Sequence, residues 1–383
     1  MARLDRVISV EDARALARRT LPKSIFEFID GGAVDELTLA DNRSGFNRLR
    51  LVPRMMTDVS APDLTMAIDG RTLPAPLAIA PMGSCMLAYP QADLAIARAA
   101  AARGLPYTLS TMSTTAIEDM ARAVDGPLWF QLYPFRDYDF NFDLMRRAAG
   151  AGFETLVVTV DLKAAGKRER DARNAMSIPL RLTVRHLMEG MSRPGWAMRF
   201  LAGGKPDFAN VRGYAGAAES GLTIAARAAR DLDSAMTFDG IRRLRDAWKG
   251  PLHVKGVLDA AEAKALVEAG ADGIWVSNHG GRQLDSAVAS IDALPAIRAA
   301  VGPDVPLVID SGVRRGMDII KARAAGATIS AVGRAAIYGV TAGEAGVGRV
   351  LDILLDEIRN GMMLAGTPDY RGIGADLLAP AAR

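Results

Sequence analysis

Hydrophobic positions along this chain fall into short continuous runs rather than alternating patterns. Eight such runs are Leu77–Ala80, Tyr107–Ser110, Leu128–Leu132, Thr155–Val160, Leu252–Lys255, Gly273–Ser277, Leu307–Asp310 and Ile329–Val332. A run that is apolar on both faces reads as a strand buried on both sides, as in a parallel sheet covered by helices. Segments of helical period lie between them: Gln91–Arg103, Ala116–Val124, Asn141–Ala149, Ala260–Glu268, Ile291–Ala299, Gly316–Ala324 and Ala345–Met362. The eight units predict an α/β fold, a closed (β/α)8 TIM barrel. The alternative is an open doubly wound sheet, which wants a glycine-rich turn after the first strand. That turn reads Pro81-Met82-Gly83-Ser84 and carries no dinucleotide fingerprint.

Two regions stand outside this rhythm, within what reads as a single domain over 1–383. Residues 1–60 form an N-terminal helical extension. Ser9 and Asp12 cap a first helix, Pro22 opens a second that Gly31 and Gly32 end, and Asp35–Asn42 is a third. A small hairpin is expected at Asp69-Gly70. Residues 162–237 form a long insertion after strand 4 that the barrel does not need.

In a barrel the chemistry sits where strands end and helices begin. Here those ends carry Gln131, Tyr133, Thr159, Asp161, Lys255, Asp310 and the turn Ser277-Asn278-His279-Gly280-Gly281-Arg282-Gln283. Any one of these has an alternative as a cap or turn residue; polar or glycine residues at all eight ends are harder to dismiss. Histidine is suited to take a proton near neutral pH, and arginine to clamp a carboxylate with two parallel hydrogen bonds. The turn therefore suggests proton abstraction from a bound acid. Gly312, Arg314, Gly333 and Arg334 follow the last two strands, where barrels commonly bind phosphate. Lys255 ends a buried strand and needs a negative partner. A lysine there suits either a Schiff base, as in an aldolase, or stabilisation of negative charge on a cofactor.

Composition and charge narrow the class. Half of the residues are hydrophobic and the net charge is only +3, so the chain as a whole is not a polyanion binder. One cysteine, Cys85, excludes an internal disulfide and fits a reducing compartment. The first ten residues lack the apolar core of a signal peptide, and no apolar run reaches the roughly 18 residues of a membrane span. Charge is uneven, however. Residues 181–212 hold six basic residues (Arg181, Arg185, Arg193, Arg199, Lys205, Arg212) against Glu189 and Asp207. Met188, Met191, Trp196, Met198, Phe200, Leu201 and Phe208 are interleaved with them. That mixture points to an interfacial membrane segment. The alternative is an active-site loop folded onto its own protein or a neighbouring subunit. Nucleic acid is not expected, since no recognition motif accompanies the charge.

The Ser277–Gln283 turn resembles the signature of the FMN-dependent α-hydroxy-acid dehydrogenases and oxidases. That family includes glycolate oxidase, L-lactate dehydrogenase and (S)-mandelate dehydrogenase. The resemblance extends through Leu21-Pro22-Lys23, Gly31-Gly32-Ala33, Phe130-Gln131-Leu132-Tyr133, Thr159-Val160-Asp161, Val254-Lys255-Gly256, Asp310-Ser311-Gly312 and Gly333-Arg334. It implies oxidation of an (S)-2-hydroxy acid, mandelate-like or lactate-like, to the 2-oxo acid. His279 would be the base and Asp161 its orienter. Arg282, Arg168 and Tyr133 would hold the substrate. Lys255 would face the flavin, which favours the electrostatic reading. Ala80, Ser110, Gln131, Thr159 and Ser277 would contact the ring and ribityl group. Asp310, Ser311, Gly312, Arg314, Gly333 and Arg334 would take the ribityl and phosphate end. No metal is expected. Electrons would pass to a membrane quinone or another acceptor; the alternative is an oxidase that makes hydrogen peroxide. The implied partners also include further copies of the chain, and the location is cytoplasmic, peripheral on the inner face of the plasma membrane.

The chain departs from the family at two places. Phe28 stands where the family usually has a carboxylate-binding tyrosine, and Met112 where glycolate oxidase has a tryptophan. Gly83 resembles the mandelate enzyme. These lean toward an aromatic or long-chain acid. An IMP-dehydrogenase-like barrel would need a loop cysteine that Ser277–Asp285 lack.

Overall fold

The structure is a computed structural model that describes residues 4–176, 183–204, 208–212, 214 and 230–380. The N-terminal extension folds as α1 (Val10–Thr20), α2 (Lys23–Asp30) and α3 (Leu37–Arg48). Ser9 caps α1, its hydroxyl accepting the Asp12 N–H at 3.1 Å. Pro22 stands just before α2 rather than in its first turn, and α3 runs six residues beyond the expected Asn42. The hairpin forms as β1 (Met66–Ile68) and β2 (Arg71–Leu73), with Asp69 at φ 53° and Gly70 at φ 77°. Two left-handed residues make the tight turn whose twist suits a two-residue hairpin.

The hairpin caps the N-terminal end of the barrel. The Asp69 carboxylate accepts from Thr155 Oγ1 and lies against His253 Nε2, both at 2.8 Å. Thr155 and His253 are fully buried at the beginnings of their strands. The chain then alternates as expected. β3 (Leu77–Ile79), α4 (Ala92–Ala101), β4 (Tyr107–Ser110), α5 (Ile117–Ala123), β5 (Leu128–Leu132), α6 (Tyr138–Gly150) and β6 (Thr155–Thr159) come first. The insertion holds α7 (Glu169–Arg173), α8 (Val184–Met191) and α9 (Pro194–Ala202). The second half comprises α10 (Phe238–Ala247), β7 (Leu252–Val257), α11 (Ala260–Glu268), β8 (Gly273–Val276), α12 (Ser290–Val301), β9 (Leu307–Ile309), α13 (Gly316–Ala324), β10 (Ile329–Val332), α14 (Arg334–Val340) and α15 (Gly343–Ala365).

β3 to β10 close into one parallel barrel, with β10 pairing β3. Side chains fill its interior, among them Trp129 and Trp275, whose rings meet edge to face at 6.1 Å. Among the described residues, the three insertion helices went unread in the sequence, and so did two more outside it. α10 follows the insertion and buries Ile241 and Leu244, and α14 sits between β10 and the long α15.

The insertion only partly matches the interfacial expectation. Val184, Leu187, Met188, Met191, Met198 and Leu201 on α8 and α9 are exposed, Leu201 at 79%. Other residues expected to face a membrane face the protein instead. Phe208 is buried, and Trp196 stacks on Phe200 while its Nε1–H donates to the Leu87 carbonyl at 2.8 Å. An indole with a buried hydrogen-bond partner anchors the helix pair to the body. The basic residues are also occupied: Arg185 pairs with Glu189, Arg193 donates to Leu21 O, and Arg199 lies over Tyr89. Arg181, Lys205 and Asp207 lie outside the described residues. Among the described residues no helix is long and apolar enough to cross a membrane.

Candidate active site

β8 ends at Val276, and the chain turns sharply. His279, Gly280 and Gly281 all take left-handed backbone, at φ 58°, 69° and 71°. This turn aims the imidazole at Asp161, past the end of β6. His279 Nδ1 and Asp161 Oδ1 are 2.8 Å apart, and His279 Nε2 lies 3.3 Å from the Tyr133 hydroxyl. Gly256 makes room: its φ is 104°, and a Cβ there would fall 2.6 Å from the Asp161 side chain. Burial pushes the Asp161 carboxyl up, but His279 and Lys255 outweigh burial and hold it below its ordinary value. An ionised Asp161 accepts the Nδ1–H, so Nε2 carries the free lone pair. Burial first, then Asp161, pushes the Tyr133 phenol well up, which keeps it a donor.

A polar network lies beneath the histidine. Lys255 Nζ is 3.3 Å from Asp310 Oδ2 and donates to Ser277 Oγ at 2.9 Å. Ser277 and Ser311 both donate to Asp310 Oδ1, at 2.6 and 2.7 Å. An ammonium held by a carboxylate is a fixed positive charge rather than a nucleophilic amine, which argues against the aldolase alternative.

The arginines divide by partner. Arg168 pairs with Asp171 at 2.6 Å. Arg334 donates to the carbonyls of Ile29, Gly31 and Gly280, tying the end of α2 to the histidine turn. Arg282 donates to the carbonyls of Phe28 and Gly31, and no ion-pair partner is found for it among the described residues. Burial, with Arg168 and Arg334 nearby, pushes its guanidinium down to about 9. A partly desolvated cation without an anion is costly, and a ligand carboxylate would relieve it. The Phe28 ring lies against both Arg282 and Arg168, with centroid distances of 5.2 and 5.9 Å.

These groups meet in a cavity of about 310 Å³ at the C-terminal mouth of the barrel. Of the residues singled out in the sequence, Phe28, Ala80, Tyr133, Arg168, Lys255, His279, Arg282, Asp310, Ser311, Gly312, Arg314, Gly333 and Arg334 line it. Ser110, Gln131, Thr159, Asp161 and Ser277 lie beside or beneath it. Met82, Leu162, Phe208 and Leu232 also line it. Met82 comes from the turn after the first barrel strand and Phe208 from the insertion, both noted in the sequence; nothing in the local sequence marks Leu162 or Leu232. Asp171 did leave a signal, three residues after Arg168 in a helical segment.

The residues fit a flavin mononucleotide. Gln131 Nε2 and Thr159 Oγ1 are buried at the strand ends with no partner among the described residues, as polar groups awaiting a ligand would be. Lys255 supplies positive charge at the cavity floor. Gly312 lines the cavity; its φ of 104°, and a Cβ that would fall 2.0 Å from the Asn42 carbonyl oxygen of α3, require glycine there. Beside it the Arg314 guanidinium donates to its neighbour's carbonyl and is available to a phosphate.

Comparison with known proteins agrees with this geometry. The model of the FMN-dependent dehydrogenase family matches residues 17–380. L-lactate dehydrogenase of Caulobacter vibrioides is 41% identical over 375 residues, covering 97% of this chain and 98% of that protein. (S)-Mandelate dehydrogenase of Pseudomonas putida is 39% identical over 374 residues, covering 97% and 94%. A crystal structure of (S)-mandelate dehydrogenase, described as a monotopic membrane protein, superposes with a TM-score of 0.93 at 39% identity, covering 98% of this chain and 99% of that one. With the barrel in place and the family model matching residues 17–380, the chain belongs to the FMN-dependent dehydrogenase family.

Proposed function

We propose that this protein oxidises an (S)-2-hydroxy acid to the 2-oxo acid and passes the electrons to a membrane quinone or a similar acceptor. The observation that carries the reading is His279, held by Asp161 at 2.8 Å, lining one cavity with a partly buried Arg282 that has no acidic partner among the described residues. Bound FMN supplies the two-electron acceptor. Gln131, Thr159, Lys255, Gly312 and Arg314 are the residues proposed to hold it.

The chain's own groups do the rest. Arg282, with Arg168 beside it, binds the substrate carboxylate and orients the carbon that bears the hydroxyl. Tyr133 donates a hydrogen bond to substrate oxygen. His279 Nε2 takes the substrate proton, and Asp161 stabilises the resulting imidazolium through Nδ1–H. The positive charge of Lys255 favours negative charge gathering at the cavity floor. Apolar side chains (Met82, Met112, Leu162, Phe208, Leu232) line the cavity and support a bulky substrate side chain. The exposed apolar residues of α8 and α9 support peripheral attachment to the inner face of the plasma membrane, where a quinone is at hand.

The test is His279→Gln, mixed anaerobically with (S)-mandelate or (S)-lactate. Retained flavin with its reduction slowed at least 100-fold is the expected result. Unchanged reduction would remove His279 from the role of base.

A further inference from the structure

We propose that Ser311 is a positioning residue, whose hydroxyl ties the Asp310 carboxylate to the backbone of the histidine turn and so holds His279 over the site. The proposal rests on the reading of His279 as the base. Three successive left-handed residues, 279 to 281, are unfavourable wherever a Cβ is present, and His279 carries one. Something must hold the turn. The His279 N–H donates to Ser277 Oγ at 3.0 Å, and the Gly280 N–H to Ser311 Oγ at 3.0 Å. Both hydroxyls give their own proton to the same oxygen, Asp310 Oδ1. With its one proton committed there, each oxygen can only accept from the turn.

Counting bonds separates this role from a cofactor contact. A serine hydroxyl has one donor and two acceptor positions. Ser311 donates to Asp310 and accepts from the N–H groups of Gly280 and, at 3.4 Å, Asn278. Ser277 donates to Asp310 and accepts from Lys255 and from the His279 N–H. Neither hydroxyl has capacity left for a flavin. Ser311 itself is left-handed, at φ 70°, where glycine would be easier. The hydroxyl is what a glycine there would lack. Since Asp310 also faces Lys255, the same carboxylate sets the place of the floor charge and of the turn that carries the base.

The experiment compares Ser311→Ala with Ser311→Gly. Alanine keeps the backbone strain and loses the hydroxyl; glycine loses the hydroxyl and relieves the strain. Three quantities are read: FMN affinity of the apoprotein by fluorescence titration, kcat and KM for hydroxy-acid oxidation, and the rate of His279 modification by diethylpyrocarbonate in the holoprotein. Both variants are expected to bind FMN within about twofold of the parent. Both should lose roughly 10- to 100-fold in kcat with little change in KM, as small displacements of a catalytic group do, and their His279 modification rate should change several-fold. Weaker FMN binding with an unchanged kcat in the flavin-loaded fraction would make Ser311 a cofactor contact and overturn the proposal. So would full activity in Ser311→Gly, or an unaltered His279 modification rate in both variants. A parent protein that no 2-hydroxy acid reduces would defeat the functional reading, while the modification rate would still test the tie to His279.

Discussion

Phe28→Tyr restores a hydroxyl at the ring lying between Arg168 and Arg282. The two guanidinium carbons are 5.9 and 5.2 Å from the ring centroid. The prediction is that the added phenol donates to the substrate carboxylate proposed to sit by the two cations. A hydrogen bond to a charged group contributes about 1.5–3 kcal/mol. At about 1.36 kcal/mol per tenfold, that is roughly 10- to 150-fold in binding. The carboxylate is remote from the reacting bond, so the gain is shared by ground state and transition state. It should lower KM and leave kcat nearly unchanged. The gain should be greatest for (S)-lactate, whose methyl group buries little surface, and smaller for (S)-mandelate, whose ring already gains from the apolar walls. The assay is anaerobic flavin reduction at graded substrate, with oxalate inhibition as a measure of carboxylate binding alone. No change for either acid would place the ring edge away from the carboxylate. Weaker oxalate binding would mean that the phenol takes a guanidinium donor from the ligand. The first result refutes the assignment of Phe28 to the carboxylate pocket, and the second refutes the predicted gain in binding.

Other consequences follow from the same geometry. Asp161→Asn should slow flavin reduction about 100-fold or more, because His279 loses the charge that stabilises its cation, and FMN affinity should be retained; stopped-flow reduction and a flavin titration check both. Asp69→Asn should lower the melting temperature at pH 7, with a cost of about 3 kcal/mol for breaking a buried pair. Burial raises the Asp69 carboxyl, but His253 and Thr155 outweigh it and hold it below its ordinary value. Its contribution is therefore complete above the unfolded value of about 3.9 and is lost as pH falls through the lower folded value. The parent should thus lose stability more steeply below about pH 4 than the variant does, as acid titration followed by circular dichroism will record. Leu187→Glu with Leu201→Glu should abolish flotation with anionic vesicles, since two buried leucines contribute at least about 3 kcal/mol, and should leave flavin reduction unchanged. Flotation equal to that of the parent would move the contact surface elsewhere.

Much of the fold was legible because burial leaves a local trace. A strand covered on both faces is apolar at most positions, and the eight runs from Leu77 to Val332 say so without reference to one another. The Asp69-Gly70 turn and the Ser9 cap are also local, each specified by a few backbone angles. Helix α10 has a readable apolar spacing at Phe238, Ile241 and Leu244, but its position after a long insertion hid it. Polar or glycine residues at strand ends marked the site because they stood at all eight ends together, although each alone could have been a cap or turn residue. What those residues do to each other depended on closure of the barrel, which brings together groups far apart in the chain. Only closure pairs His279 with Asp161, 118 residues away, and Phe28 with Arg282, 254 residues away. It also turns Phe208 into the cavity, where composition suggested a membrane, and fills the hydroxyls of Ser277 and Ser311 with protein partners, where motif position suggested a cofactor. Composition and period record how deeply a residue is buried. Hydrogen-bond capacity is allotted among neighbours, and the neighbours exist only once the chain has folded.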